Sequence, residues 1–230
     1  MMSLGDSMWP WPTAGRLYIW RMIIMIGKMK GCAALTVLAG ICMAASVSPA
    51  SAEFHSEGFH TIYTGSQVGT HALSFDPGTV DCKVGTLSGT STTTTTREIT
   101  FTEVWKECTL TSIFGNIAVT VNMNECDLLT TTINEVHILC PAGKSISISG
   151  PGCSITIPGG QTVLGITFTN LGSGSTREIL KHTNVTGTAY SYTGFTCGSG
   201  SGTKNGTVNG TTLITGVDTA GAHLGIWHQV

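Results

Sequence analysis

The chain has 230 residues, of which 41% are hydrophobic and only 10% charged, with 30 glycines and 8 cysteines. Its formal net charge of −2, with no basic cluster, excludes the electrostatic footprint of a nucleic-acid or anionic-membrane binder. Thr, Ser, Gly, Val and Ile dominate, and long runs of Leu, Glu, Lys and Ala are missing, which excludes a helical bundle and favours pleated, turn-rich structure.

The first elements in chain order belong to export rather than to the fold. The opening "MMSLGDSMWPWPTAGRLYIWRMIIMIG" is unlike a signal-peptide n-region, and its hydrophobic part is short and broken by Arg21. Residues 1–28 therefore read as a mis-assigned or extended N-terminus, with synthesis starting at Met29 or Met25. Residues 29–52 read as a secretory signal peptide. Lys28 and Lys30 form its basic end, and Cys32 to Val47 an uncharged run of 16 residues. That run is shorter than the roughly 20 apolar residues of a membrane span. "SPASA" then places Ala50 and Ala52 at an A-x-A site, with cleavage between Ala52 and Glu53. Cys42 follows Ile41, where a lipidation site wants a small residue. Residues 53–230 remain as a single extracellular β domain. It holds 7 basic against 12 acidic residues, a net charge of −5.

Period-two alternation runs through that domain. "REITFTEV" puts Ile99 and Phe101 on one face, and "NIAVTVNM" puts Ile117, Val119, Val121 and Met123 on one face. "KSISIS" aligns Ile146 with Ile148, "CSITIP" Ile155 with Ile157, and "TVLGITFTN" Leu164 with Ile166 and Phe168. Turn signals separate these runs at "DPG" (76–78), "FGN" (114–116), "PAGK" (141–144), "SGPG" (149–152) and "PGGQ" (158–161). "STTTTT" (91–96) reads as a loop tip or strand edge, "NLGSGSTRE" near 170–178 as a loop, and "CGSGSGTKNGTVNG" (197–210) as a flexible connection. The expected class is all-β. An antiparallel β-sandwich of many short strands, stapled by disulfides, is the first expectation and a β-barrel the alternative.

Six cysteines fall in the mature chain, each on the apolar parity of its strand. Cys82 aligns with Val80 and Val84, Cys108 with Leu110, Cys126 with Leu128, Cys140 with Val136 and Ile138, Cys153 with Ile155 and Ile157, and Cys197 with Phe195. Zinc sites use close C-x2-C spacing, which is absent, and reactive thiols need an exposed, electropositive setting. Three core disulfides are the expectation in an oxidising compartment. Six cysteines allow fifteen connectivities. Hairpin symmetry suggests Cys82–Cys108 across the poly-Thr tip and Cys126–Cys140 about Ile133-Asn134, leaving Cys153–Cys197. A Cys108–Cys126 bridge around "FGN" stays open as an alternative.

No nucleophile elbow, zinc-protease motif, phosphate loop or dinucleotide fingerprint occurs, so no catalytic, cofactor or metal residue is assigned. "HSEGFH" (His55, Glu57, His60) is weighed as a metal site, and Glu98, Glu103, Glu107 and Glu125 as a source of a glycosidase pair. A frayed terminus and solvated faces account for both sets more simply. Trp105 lies opposite in parity to Cys108, and Tyr190 and Tyr192 opposite to Phe195 and Cys197. With Trp227, these aromatics form the candidate binding surface for the apolar faces of sugars. The expected role is that of a non-enzymatic secreted or surface-associated binding or structural module. A carbohydrate-binding module is the alternative, and an extracellular hydrolase a more distant one. A cell-surface glycan or protein is the partner class left open. Nucleic acid and stable membrane insertion after cleavage are not expected.

The "SPASA" leader, "VDCKVGTL", the Thr-rich stretch, "ILCPAGKSISI…C" and "YTGFTCGSGSG" together resemble a group of uncharacterised secreted, cysteine-containing, β-rich proteins of actinobacteria. The resemblance spans most of residues 68–216. It implies export and a disulfide-rich β fold; the group has no assigned activity to carry over.

Overall fold

Alternating apolar and polar residues separated by two-residue turns can satisfy their backbone only by pairing with one another, and here they do so antiparallel throughout. The structure, a computed structural model, describes residues 51–230, apart from the side chains of 199 and 201–205. The leader and signal segment, up to residue 50, lie outside the described residues; Ala52 and Glu53 lie within them. The strands are β1 (Glu53–Ser56), β2 (Thr61–Gln67), β3 (His71–Phe75), β4 (Gly78–Ser91), β5 (Thr95–Thr96), β6 (Glu98–Ser112), β7 (Gly115–Asn122) and β8 (Asp127–Thr131). They continue as β9 (Glu135–Leu139), β10 (Ser145–Gly150), β11 (Cys153–Pro158), β12 (Gln161–Leu171), β13 (Glu178–Gly194), β14 (Gly198–Val217), β15 (His223–Leu224) and β16 (Ile226–Gln229). Among the described residues, one 3-10 turn (Gly174–Thr176) is the sole helical element.

Followed from strand to strand, the pairings close on themselves twice. One circuit runs β6–β8–β9–β12–β13–β14–β2–β4 and back to β6. The other runs β6–β7–β10–β11–β13–β14–β3–β4 and back. The long strands β4, β6, β13 and β14 serve both circuits, and β2 and β3 lie end to end beside β14. The two circuits part where β8–β9–β12 and β7–β10–β11 leave the shared wall. Pairing circuits that close in this way leave few strand edges open to aggregation, and the all-β class expected from the sequence stands. A small sheet, β16–β1–β5, packs on the first circuit. It sets Phe54 and Ile226 in one cluster with Tyr63, Leu87, Ile99, Phe101, Ile179 and Ile214. Each fully buried side chain of this size contributes about 1.5–3 kcal/mol.

The structure holds three disulfides, Cys82–Cys108, Cys126–Cys140 and Cys153–Cys197, the pairs that hairpin symmetry suggests. Cys82 and Cys108 are directly opposite in the β4–β6 ladder. Of the other two pairs, Cys126–Cys140 closes the open end of the β8–β9 hairpin, and Cys153–Cys197 ties the start of β11 to the turn between β13 and β14.

Several local expectations are corrected. Residues 197–210 are no flexible connection: Gly198 begins a strand of 20 residues that pairs with β13 along most of its length. Glycine is needed there where Tyr192, His71 and Thr188 press on the backbone; a Cβ at Gly210 would stand 2.2 Å from the His71 ring. Val84 does not share the buried face of Cys82, nor Leu164 that of Ile166; they are 37% and 54% exposed. In β12 the register shifts between Leu164 and Ile166, at Gly165 (φ 124°), so Val163 and Ile166 point inward instead. Phe195, in the turn from β13 to β14, is 83% exposed while Cys197 is buried.

Candidate functional site

In β6 the inward face changes parity at one place. Ile99, Phe101 and Glu103 point inward, and so do Cys108 and Leu110, with Glu107 between at a positive φ of 53°. A left-handed residue of this kind re-aims the strand locally. The opposing strand β4 switches at the same level, from Val80 and Cys82 to Leu87. The outcome is that Trp105, opposite in parity to Cys108, also faces inward.

Trp105 and Glu103 thereby reach a cavity of about 90 Å³ where the two circuits part. Its walls are chiefly apolar, Leu73, Val121, Ile138, Ile146, Ile166 and Val185 among them, with His71, Glu103, Thr183 and Thr188 as the polar members. Where eight strands close into one circuit, side chains can just fill the enclosed space or leave room for one small ligand. Here the bulky residues leave room. A second, much smaller void of about 10 Å³ adjoins on the far side of His71, Glu103 and Trp105, bounded also by Thr86 and Thr212.

The polar members form an ordered set. Lys181 of β13 donates from Nζ to Glu103 Oε1 at 2.9 Å, and the two side chains are only 4% and 8% exposed. The ammonium also lies 5.7 Å from the centre of the Phe101 ring. A buried charge is tolerated when paired in this way. His71 packs on Trp105 with ring centres 4.9 Å apart, and its Nε2 lies 2.9 Å from the Thr211 carbonyl oxygen. A carbonyl only accepts, so Nε2 carries the proton and donates. Burial, the largest influence, pushes the His71 pKa below its usual value, with the Thr211 bond and Glu103 opposing and Lys181 assisting. The ring is neutral at pH 7. Thr188 is buried, lines the cavity, and its hydroxyl has no partner among the described residues.

The four aromatics expected on a sugar-binding face do not form one. Trp105 lines the interior. Tyr190 is 3% exposed; it packs edge-on to Phe75, and its hydroxyl accepts from the Asp76 amide at 2.8 Å. Tyr192 is half-buried against the core. Trp227, on the small sheet, stacks on His55 at 5.1 Å with the Arg177 guanidinium 4.7 Å from its centre, so its own neighbours cover the ring. The other sequence candidates also disperse. His55 faces Trp227, while Glu57 accepts from the Gly225 amide. Among the described residues no group of three His, Cys, Asp or Glu stands ready to hold a metal. Of the four glutamates weighed as a hydrolytic pair, Glu103 is buried against a lysine and Glu98, Glu107 and Glu125 are exposed.

Glu103 was visible in sequence only as one scattered acid and His71 only as a residue near Asp76 and Asp81 in the chain, while Lys181 carried no signal as a site residue. What could have pointed to Glu103 is its phase: it continues the inward parity of Ile99 and Phe101. Comparison with protein-family models, curated proteins and solved structures finds no match to this chain.

Proposed function

We propose that this protein is an exported, disulfide-stapled β module that binds a small, chiefly apolar molecule inside its closed sheet. The observation that carries this reading is the cavity of about 90 Å³, walled by aliphatic side chains yet furnished with a few convergent polar groups. Binding sites combine these two features, a mostly apolar lining and a small number of placed polar atoms. Three disulfides support an oxidising compartment, and the signal-like leader and the resemblance to secreted actinobacterial proteins support export. The role is binding rather than catalysis: the buried acid is engaged by Lys181 and the histidine proton by a backbone carbonyl.

The test uses the two tryptophans of the mature chain, Trp105 and Trp227. In a Trp227→Phe variant, emission reports from Trp105 alone, beside the cavity. Small apolar molecules such as benzene should change that emission saturably. An unchanged emission across a panel of such molecules, together with unchanged amide spectra of the wild-type protein, would remove the reading.

A further inference from the structure

We infer, resting on the reading of the interior as a ligand site, that its ligand is a small neutral alcohol or phenol whose hydroxyl donates a hydrogen bond to the Glu103 carboxylate. The committed groups at the cavity wall are acceptors. Glu103 gives one oxygen, Oε1, to Lys181, and no hydrogen bond occupies its Oε2 among the described residues. His71 donates from Nε2 to Thr211, and this neutral tautomer leaves a lone pair on Nδ1. The Cδ2–Nε2 edge of the ring lies against β14, since a Cβ at Gly210 would approach Cδ2 to 2.2 Å, so Nδ1 is turned away from that strand. The cation beside this wall, Lys181, is already held by Glu103. Thr188 adds a hydroxyl without a partner, which loses no bond if its χ1 turns toward a ligand.

These groups sort ligands by head group. A hydrocarbon leaves the acceptors unmet. A carboxylate places a second negative charge beside Glu103 in apolar surroundings, where like charges repel strongly. A hydroxyl supplies the missing donor, and a hydrogen bond to a charged acceptor is about twice as strong as a neutral one. Size sets the remainder. An engineered cavity of about 150 Å³ holds benzene; the space here, about 90 Å³, is smaller, so it suits a short chain as it stands and a single ring once its wall gives way. Met123, half-buried at the wall, is flexible enough to adjust to the body of the ligand.

The test is calorimetric titration of the exported, oxidised protein with phenol, benzene and benzoate, which share one ring and differ in the head group. Phenol should bind about tenfold more tightly than benzene, the margin of one hydrogen bond to a charged group, and benzoate should not bind. In a Glu103→Leu/Lys181→Met double variant, which removes both charges together, the preference for phenol over benzene should vanish. Glu103→Gln/Lys181→Met serves the same purpose if the first pair does not fold. Benzene binding as tightly as phenol, or benzoate binding at all, overturns the inferred class while leaving the interior site in place. So does a tenfold preference that persists in a folded double variant. Failure of all three compounds, and of xenon, to enter the wild-type protein overturns the interior site itself.

Discussion

Breaking the Glu103–Lys181 pair from one side should cost far more than removing it whole. The two side chains are 8% and 4% exposed and 2.9 Å apart, and no other acceptor holds the Lys181 ammonium among the described residues. Lys181→Met therefore leaves a carboxylate buried in an apolar wall, and Glu103→Leu leaves an ammonium there. Either change should cost about 3–5 kcal/mol, whereas replacing both with apolar residues of similar volume is often neutral or stabilising. Single domains have about 5–15 kcal/mol in total, so either single variant loses a large fraction of its stability. With a urea m-value of about 2 kcal/mol/M, each midpoint should fall by about 2 M. The assay is equilibrium urea unfolding of the wild type, both single variants and the double variant, all with disulfides intact. The reasoning is refuted if the singles lose less than about 1 kcal/mol, or if the double variant is no better than the worse single.

Further outcomes follow from other parts of the structure. Free-thiol titration of the denatured, unreduced mature protein should find essentially none. By loop-closure entropy, losing Cys153–Cys197, whose partners are 44 residues apart, should cost about 4 kcal/mol, against about 3 kcal/mol for Cys126–Cys140 at 14; equal costs in paired Cys→Ala variants would contradict this order. Gly165→Ala should destabilise by roughly 1–3 kcal/mol, because φ is 124° and the new Cβ would lie 2.1 Å from the Asn184 carbonyl oxygen; a neutral result in thermal unfolding would show that β12 has no fixed bulge there. Burial lowers the pKa of both His71 and His228. The unfolded chain therefore takes up protons first, and stability should fall as pH drops below about 6.5 toward the folded values. A His71→Phe variant should show a shallower slope there, and an unchanged slope would contradict burial of the neutral ring. N-terminal sequencing of exported protein should begin at Glu53, and recovery of Met29 in the mature product would contradict cleavage after Ala52.

The alternation of Ile117, Val119 and Val121, or of Ile155 and Ile157, displays the strands because one face of each is buried and the other solvated. The same logic made the cysteines legible, since in-phase positions either side of a turn meet across a ladder. It failed where one residue re-aims a strand. Nothing marks Glu107 as left-handed, yet it turns Trp105 from a supposed surface residue into a wall of the cavity. Gly165 does the same for Leu164, and a glycine in a strand signals a bulge without saying which flank points inward. The Gly-Ser run after Cys197 looked like a linker because composition was the evidence; its glycines instead admit neighbouring rings close to the backbone of β14. The site itself was not legible. Glu103 and Lys181 are 78 residues apart, and only circuit closure brings β6 and β13 to face each other across the interior.

The most direct measurement is a diffraction experiment on crystals of the oxidised protein held under xenon, an atom that enters apolar cavities and marks them with strong density. The account predicts a xenon peak within the closed sheet, bounded by Trp105, Ile138, Ile166 and Val185, with Glu103 and Lys181 still paired beside it. An interior filled by side chains, with no xenon there at pressures that load surface sites, would contradict it.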